Sequence, residues 1–281
     1  MKTRIITASV LLCILVPILI FSHTFAYLIF AALLSLVATY ELLGCMHLVS
    51  RVKLSVSSVI YSVLTVSLTR ASSAENGFMK IFACTTFVYI FVLLTFSLFE
   101  SEKSREKLPE IMMAAALIIY ITFGFASFVT VRDLANGSIL FPLAYIAAWV
   151  SDTGAYFAGV KFGKRKLIPE ISPKKTVEGF IGGLCSCVAV FMIYAGCVHI
   201  FSDELSPNYI WIFLCAVLLS VASVIGDLIA SMIKRRYHIK DYSHLFPGHG
   251  GVLDRFDSII ATTAGLFVLS SIMPLFYSSV G

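Results

Sequence analysis

Between Ser231 and Asp257 the chain reads SMIKRRYHIKDYSHLFPGHGGVLDRFD, which places eight formally charged side chains and three histidines within 27 residues. Lys234, Arg235, Lys240 and Arg255 offer cationic donors to phosphate oxygens, while Asp241, Asp254 and Asp257 offer hard oxygen ligands. Mg²⁺ is commonly held by one or two carboxylates together with substrate phosphates, so this inventory suits a phosphate compound with a divalent cation. The glycines of PGHGG allow backbone to come close to a ligand. His238, His244 and His249 lack the helical H-x-x-x-H spacing and have no cysteine beside them, which argues against zinc. The chain has no Walker A sequence, so a nucleotide here would be held by a different device.

Two more carboxylates lie within apolar runs: Asp152 in WVSDTGAYFAG and Asp227 in SVIGDLIASMIKR. An acidic group inside a span is costly and is a functional-site hypothesis by default, the plain alternative being a structural ion pair or an interhelical hydrogen bond. Asp227, Ser231 and Lys234 follow an i, i+4, i+7 spacing, so they lie along one helical face over about 10 Å. The segment GKRKLIPEISPKKTVEG presents Ser172, Lys174, Lys175 and Thr176 ahead of a helix expected to begin near Val177. Free N–H groups and the helix dipole favour an anion at such a place. A juxtamembrane basic cluster of this kind also reads as a topology signal or as a contact for acidic lipids. Glu41, near the cytoplasmic end of the second apolar run, is read as reaching the interface and is given no chemical role.

The elements that must position these residues are membrane spans. Of the 281 residues, 59% are hydrophobic and 13% charged, whereas soluble domains carry roughly 25% charged residues. A hydrocarbon core of about 30 Å needs about 20 mostly apolar residues in helical form. Nine runs qualify, at 5–21, 25–43, 54–69, 81–99, 111–131, 139–160, 180–200, 209–233 and 258–277. The expected fold is therefore all-α, a polytopic integral membrane protein with about nine transmembrane helices. Residues 1–135 hold five spans, and residues 136–281 hold four spans and two cytoplasmic loops that form the catalytic region.

The third run, LSVSSVIYSVLTVSLT, is short and rich in serine and threonine, yet too long for a typical strand. The first run follows MKTR but leads directly into the second without a small-residue cleavage pattern, so it reads as a retained span. With nine spans, 18 of the 21 basic residues fall on one side, among them Lys103, Arg105 and Lys107; Arg70, Lys80 and Arg132 fall on the other. Lysine and arginine accumulate in cytoplasmic loops, which puts the N-terminus and the 231–257 stretch in the cytoplasm of a cell-membrane protein. The seven cysteines lie nearly all within apolar runs and suggest small hydrophobes, with neither a disulfide framework nor a zinc site. Cys185 and Cys187 are two apart on a helix and so do not face each other.

The 231–257 stretch resembles the signature of the phosphatidate cytidylyltransferases, the CDP-diacylglycerol synthases. That pattern runs S-x-x-K-R, four residues, K-D, five residues, P-x-H-G-G-x-x-D-R-x-D. Its twelve fixed positions are filled by Ser231, Lys234, Arg235, Lys240, Asp241, Pro247, His249, Gly250, Gly251, Asp254, Arg255 and Asp257. Ser151, Asp152, Thr153, Ala155 and Tyr156, and the segment from Ser172 to Gly179, are also similar to that family, while the first 130 residues resemble it only as hydrophobic spans.

The resemblance implies a dimeric membrane enzyme that makes CDP-diacylglycerol and pyrophosphate from CTP and phosphatidate, with Mg²⁺ and with K⁺ as a further cation. It implies Asp227 and Asp254 as metal ligands, with Asp152 and Asp257 as further ligands or supports. Lys234, Arg235, Lys240, Asp241 and Arg255 are the expected catalytic set. Ser172, Lys174, Lys175, Thr176, Ser231, His249, Gly250 and Gly251 are the expected substrate-binding set, and no nucleic-acid partner is expected. The half of the site made by the 231–257 stretch is expected to meet Asp152 and the SPKKT segment in the fold. Two other readings use the same charges: a CTP-dependent polyprenol kinase, and an ion or metabolite transporter lined by Asp152 and Asp227. Internal repeats common in transporters are absent from the sequence.

Overall fold

A computed structural model of the chain describes residues 2–71, 77–99, 107–202 and 205–278. Lys103 and Arg105 lie outside the described residues. The described residues form nine long helices: α1 (Lys2–Ile20), α2 (Phe25–Cys45), α3 (Val52–Ser67), α4 (Gly77–Leu98), α5 (Leu108–Asp133), α6 (Gly137–Phe162), α7 (Val177–Phe201), α8 (Tyr209–Arg236) and α9 (Leu253–Ile272). Among the described residues, seven helical segments are long and apolar enough to cross a membrane: α2, α3 extended by a 3₁₀ turn to Ala71, α4, α5, α7, α8 and α9. The protein is an all-α, multi-pass membrane protein. Helices α1 and α6 are not among the seven, and α6 is the helix that carries Ser151, Asp152 and Thr153.

The chain divides into two compact units, one of Met1–Thr130 with Arg236–Phe256, the other of Val131–Arg235 with Asp257–Gly281. The sequence reading divides the chain once, after residue 135. In the fold, the loop that carries PGHGG belongs to the first unit, with the N-terminal helices.

In the first unit, hydroxyl groups join α3 to α4. Ser58 Oγ lies 2.9 Å from the Tyr89 hydroxyl, Tyr61 pairs with Thr86 at 2.8 Å, and Thr65 donates to Thr85 at 3.0 Å. The Tyr61 and Tyr89 rings stack at 4.4 Å. This ladder accounts for the serine and threonine content of the third run, because hydroxyls that satisfy one another across helices can remain in an apolar setting. At the other end, the Arg70 guanidinium donates to the carbonyls of Thr24, at 2.6 Å, and Ser22, at 3.1 Å, and so fastens the α1–α2 turn. Tyr27 donates to the Phe128 carbonyl at 3.1 Å and stacks on the Phe128 ring.

The second unit is organised by α6 against α7. Ser151, Ala155 and Gly159 on α6 meet Gly179 and Gly183 on α7, a small-residue face that lets the two backbones approach closely. A Cβ on Gly179 would stand 2.8 Å from the Ala155 carbonyl, and one on Gly183 would stand 2.5 Å from the Ser151 carbonyl. Gly183→Leu must therefore push the helices apart, and we expect a loss of about 1–3 kcal/mol, read as a lower thermal midpoint of the detergent-solubilised protein.

The core of this unit is built from Phe191, Leu143, Ile212, Leu219 and Leu266, all fully or almost fully buried. Cys187 is buried with its thiol 3.6 Å from the Ala216 carbonyl, whereas Cys185 is exposed, as positions two apart on a helix require. All seven cysteines are free thiols.

Sheet structure is limited to two antiparallel ribbons among the described residues, β1 (Lys166–Ile168) with β2 (Ser172–Thr176) and β3 (Leu205–Pro207) with β4 (Phe276–Ser278). The basic SPKKT segment is thus a strand rather than an open loop. Its neighbour is held by the Glu178 carboxylate, which accepts from the backbone N–H groups of Lys164, at 3.0 Å, and Arg165, at 3.1 Å.

Candidate active site

In the second unit, β2 ends at Thr176, whose side chain caps α7 by accepting from Gly179 N–H at 3.1 Å. That cap fixes the strand directly against the helix start and aims the preceding lysines. Lys174, Lys175 and Thr176 line a cavity of about 430 Å³ with Asp152, Tyr156, Gly159 and Lys166. Ser172 lies at the far end of the strand, paired with Ile168, and does not line it.

Lys175 forms an ion pair with Asp227, the two side chains being 24% and 27% exposed. Ser231 Oγ reaches Asp227 Oδ1 at 3.5 Å, which places the expected helical face of α8 in use. Asp152 interacts electrostatically with Lys175 and Asp227, and Asp257 does so with Asp227, Lys234 and Asp152. Asp257 is brought near α8 because Gly226 has no side chain: a Cβ there would sit 2.7 Å from the Asp257 carbonyl. Ser258 Oγ donates to the Ser223 carbonyl at 3.2 Å beside it. Three carboxylates from α6, α8 and α9 thus share one region with Lys175 and Lys234. Arg235 is exposed, with its Nε 3.5 Å from the Ile171 carbonyl.

In the first unit, the loop between α8 and α9 forms a second cavity, of about 390 Å³, lined by Lys240, Asp241, His244, Gly248, His249, Gly250 and Arg255. Phe246 and Gly250 close a small bridge, with Phe246 N–H on the Gly250 carbonyl at 2.9 Å and His249 N–H on the Phe246 carbonyl at 2.8 Å. Gly248 and Gly250 have φ of 78° and 80°, a left-handed backbone that a side chain makes costly. Arg255 Nε donates to the His249 carbonyl at 2.7 Å, so the guanidinium is held over the loop. Asp254 Oδ2 accepts from Tyr242 N–H at 2.7 Å and Gly251 N–H at 3.0 Å, which ties both ends of the loop to the first turn of α9.

Gly251 does not line the cavity. The space its side chain would take is filled by the carboxylate of Glu41, with Oε2 at 2.6 Å from an ideal Cβ. Glu41 is 4% exposed rather than turned to the interface, which overturns the reading that gave it no role. Its Oε1 accepts from Ser243 Oγ at 2.6 Å and Val252 N–H at 3.0 Å, and its Oε2 accepts from Leu253 N–H at 2.8 Å. The sequence signal was available: Glu41 is an ionisable side chain within an apolar run, the criterion that singled out Asp152 and Asp227. Thr7 of α1 also reaches this loop, donating to the Pro247 carbonyl at 3.1 Å.

Among the described residues, no group of three or more His, Cys, Asp or Glu side chains is arranged to hold a metal ion without help. A Mg²⁺ ion bound here would have to complete its shell with water and phosphate oxygens.

Apolar spanning helices that carry paired cations and carboxylates define a multi-pass membrane protein equipped to handle phosphate groups. The chain belongs to the cytidylyltransferase family, whose model matches residues 2–273. Among its relatives is a phosphatidate cytidylyltransferase of Staphylococcus haemolyticus, 34% identical over 261 residues, which span 92% of this chain and 95% of that protein. Phosphatidate cytidylyltransferases of Staphylococcus epidermidis and Staphylococcus aureus are also 34% identical, over the same shares of both chains.

Proposed function

We propose that this protein transfers the cytidylyl group of CTP to phosphatidate, giving CDP-diacylglycerol and pyrophosphate for phospholipid biosynthesis. The observation that carries the reading is the cavity in which Lys174 and Lys175 join Asp152 of α6. Cationic donors of this kind suit a triphosphate, and a position beside membrane-spanning helices suits a lipid co-substrate. The relatives, phosphatidate cytidylyltransferases aligned over 92% of this chain, support the same substrates.

In the reaction, an oxygen of the lipid phosphate monoester attacks the α-phosphorus of CTP. The bond from that phosphorus to the oxygen bridging to the β-phosphate breaks, and pyrophosphate leaves. The lipid phosphate is already an anion near neutral pH, so the step requires no separate general base. The protein's tasks are positioning and charge neutralisation. Lys174, Lys175 and Thr176 hold the CTP side, and Lys234, Arg235, Lys240 and Arg255 hold phosphates. His249 and Gly250 shape the wall beside Arg255, and Ser231 steadies Asp227. The carboxylates assigned to Mg²⁺ are Asp227 and Asp254, with Asp152 and Asp257 as further ligands or supports. Bound Mg²⁺ would offset negative charge on the phosphate oxygens.

The same reading puts both cavities at the cytoplasmic face of the cell membrane, with the N-terminus on that side, in line with the basic-residue bias. A homodimer follows from the resemblance.

The test is a product analysis with purified protein, phosphatidate, Mg²⁺ and CTP labelled at either the α- or the γ-phosphate. The α-label is expected in lipid and the γ-label in pyrophosphate. Label from the γ-position in lipid, with CDP released, would replace this reading with a kinase. Ion-dependent flux in proteoliposomes without CTP turnover would replace it with a transporter.

A further inference from the structure

We propose that Glu41 is the positioning residue of the phosphate-binding loop, acting through its backbone without touching substrate. This deepens the function proposed above and rests on it for the loop's role, though not for the loop's geometry.

The first N–H groups of a helix have no partner within the helix, and a side-chain acceptor in the residue just before it ordinarily satisfies them. Helix α9 begins at Leu253, and neither it nor the preceding Val252 has a side chain that can accept a hydrogen bond. Their N–H groups are instead taken by one carboxylate supplied from α2, 211 and 212 residues earlier in the chain. The same carboxylate takes the Ser243 hydroxyl from the other end of the loop. Its negative charge also lies where the α9 dipole is positive.

Three contacts to two ends of one loop make Glu41 a clamp. Between the clamped points lie His244, Gly248, His249 and Gly250, and next to them Lys240, Asp241 and Arg255, the residues that line the cavity. The absence of a side chain at Gly251 is part of the device, because any Cβ would displace the carboxylate. The backbone of this unit would thereby place the loop's cations before any phosphate arrives. Preorganisation of this kind is worth much in phosphate chemistry, since a displacement of about 1 Å can cost about 100-fold in rate.

Glu41→Gln keeps size but converts one acceptor oxygen to a donor that faces an N–H or O–H group. We expect kcat/KM for CDP-lipid formation to fall roughly 10- to 100-fold, with KM rising for the substrate whose phosphate the loop holds and the thermal midpoint lowered, because a buried donor loses its acceptor. Ser243→Ala, which removes one contact of the three, should show a smaller fall of the same kind.

A second readout is independent of activity: limited trypsin digestion of the detergent-solubilised protein, with cleavage after Lys240 compared with cleavage after Lys164. Faster cleavage at Lys240 alone, greater in Glu41→Gln than in Ser243→Ala, is the expected result. Unchanged cleavage at Lys240 in both variants, with normal kinetics, overturns the proposal. If the wild-type protein forms no CDP-lipid, the functional reading fails while the digestion still decides the clamp. If Glu41→Gln does not fold, Ser243→Ala decides it in the same two assays.

Discussion

Asp227→Asn is expected to lower kcat for CDP-lipid formation by roughly 100- to 1,000-fold, the range seen when one preorganised electrostatic contact is removed. Asparagine fills the same volume, and its carbonyl oxygen can still accept from Ser231, so α8 should keep its packing. What disappears is the charge. Lys175 loses its ion-pair partner, and Asp152 and Asp257 lose the neighbour with which they interact electrostatically. A carboxylate is also the donor that Mg²⁺ selects, and an amide replaces it poorly. Activity measured across a Mg²⁺ titration, beside a thermal-stability measurement, checks this. Near-normal turnover in both Asp227→Asn and Asp254→Asn would remove the metal assignment.

At Asp254, two substitutions separate two roles and are expected to differ from each other. Asp254→Asn retains an oxygen able to accept from Tyr242 and Gly251, so the loop should remain tied while the charge is lost. We expect a fall in kcat of roughly 100-fold or more with little change in stability. Asp254→Ala leaves both N–H groups without that acceptor, and Tyr242 and Gly251 are buried residues. An abandoned buried donor costs about 1–3 kcal/mol, so this variant should lose stability as well as activity. Thermal denaturation of the two variants side by side distinguishes them. Equal stability in both would mean that the two short hydrogen bonds contribute nothing to holding the loop.

The membrane class was legible because apolar length is a one-dimensional property: a run of about 20 residues either can or cannot bridge the hydrocarbon core. Each of the nine runs overlaps one of the nine described helices, and the helix start at Val177 followed from local signals, whereas the last helix begins at Leu253, ahead of the run read at 258–277. The alignment of Asp227 with Ser231 was equally local, since helical periodicity alone puts them on one face. The filled signature, too, was visible in the order of residues, because a motif is read from the chain without folding it.

What lay beyond reach was whatever depends on residues far apart in the chain. The SPKKT segment carries no strong strand signal, and only its pairing with Lys166–Ile168 makes it a strand. Of the PGHGG glycines, Gly248 and Gly250 line the cavity and also answer a backbone requirement that spacing does not reveal, and Gly251 answers Glu41.

The amino-acid sequence by itself determined that this is a helical membrane protein with an intramembrane carboxylate on each of two helices and a basic loop rich in glycine. Tertiary structure decided which partners those groups have: Lys175 for Asp227, backbone N–H groups for Asp254, and Glu41 for the entrance to α9. The reason is that burial and hydrogen bonding are properties of a neighbourhood. Glu41, one turn from the end of its helix, has the same local sequence whether it meets water or the start of a helix more than 200 residues away.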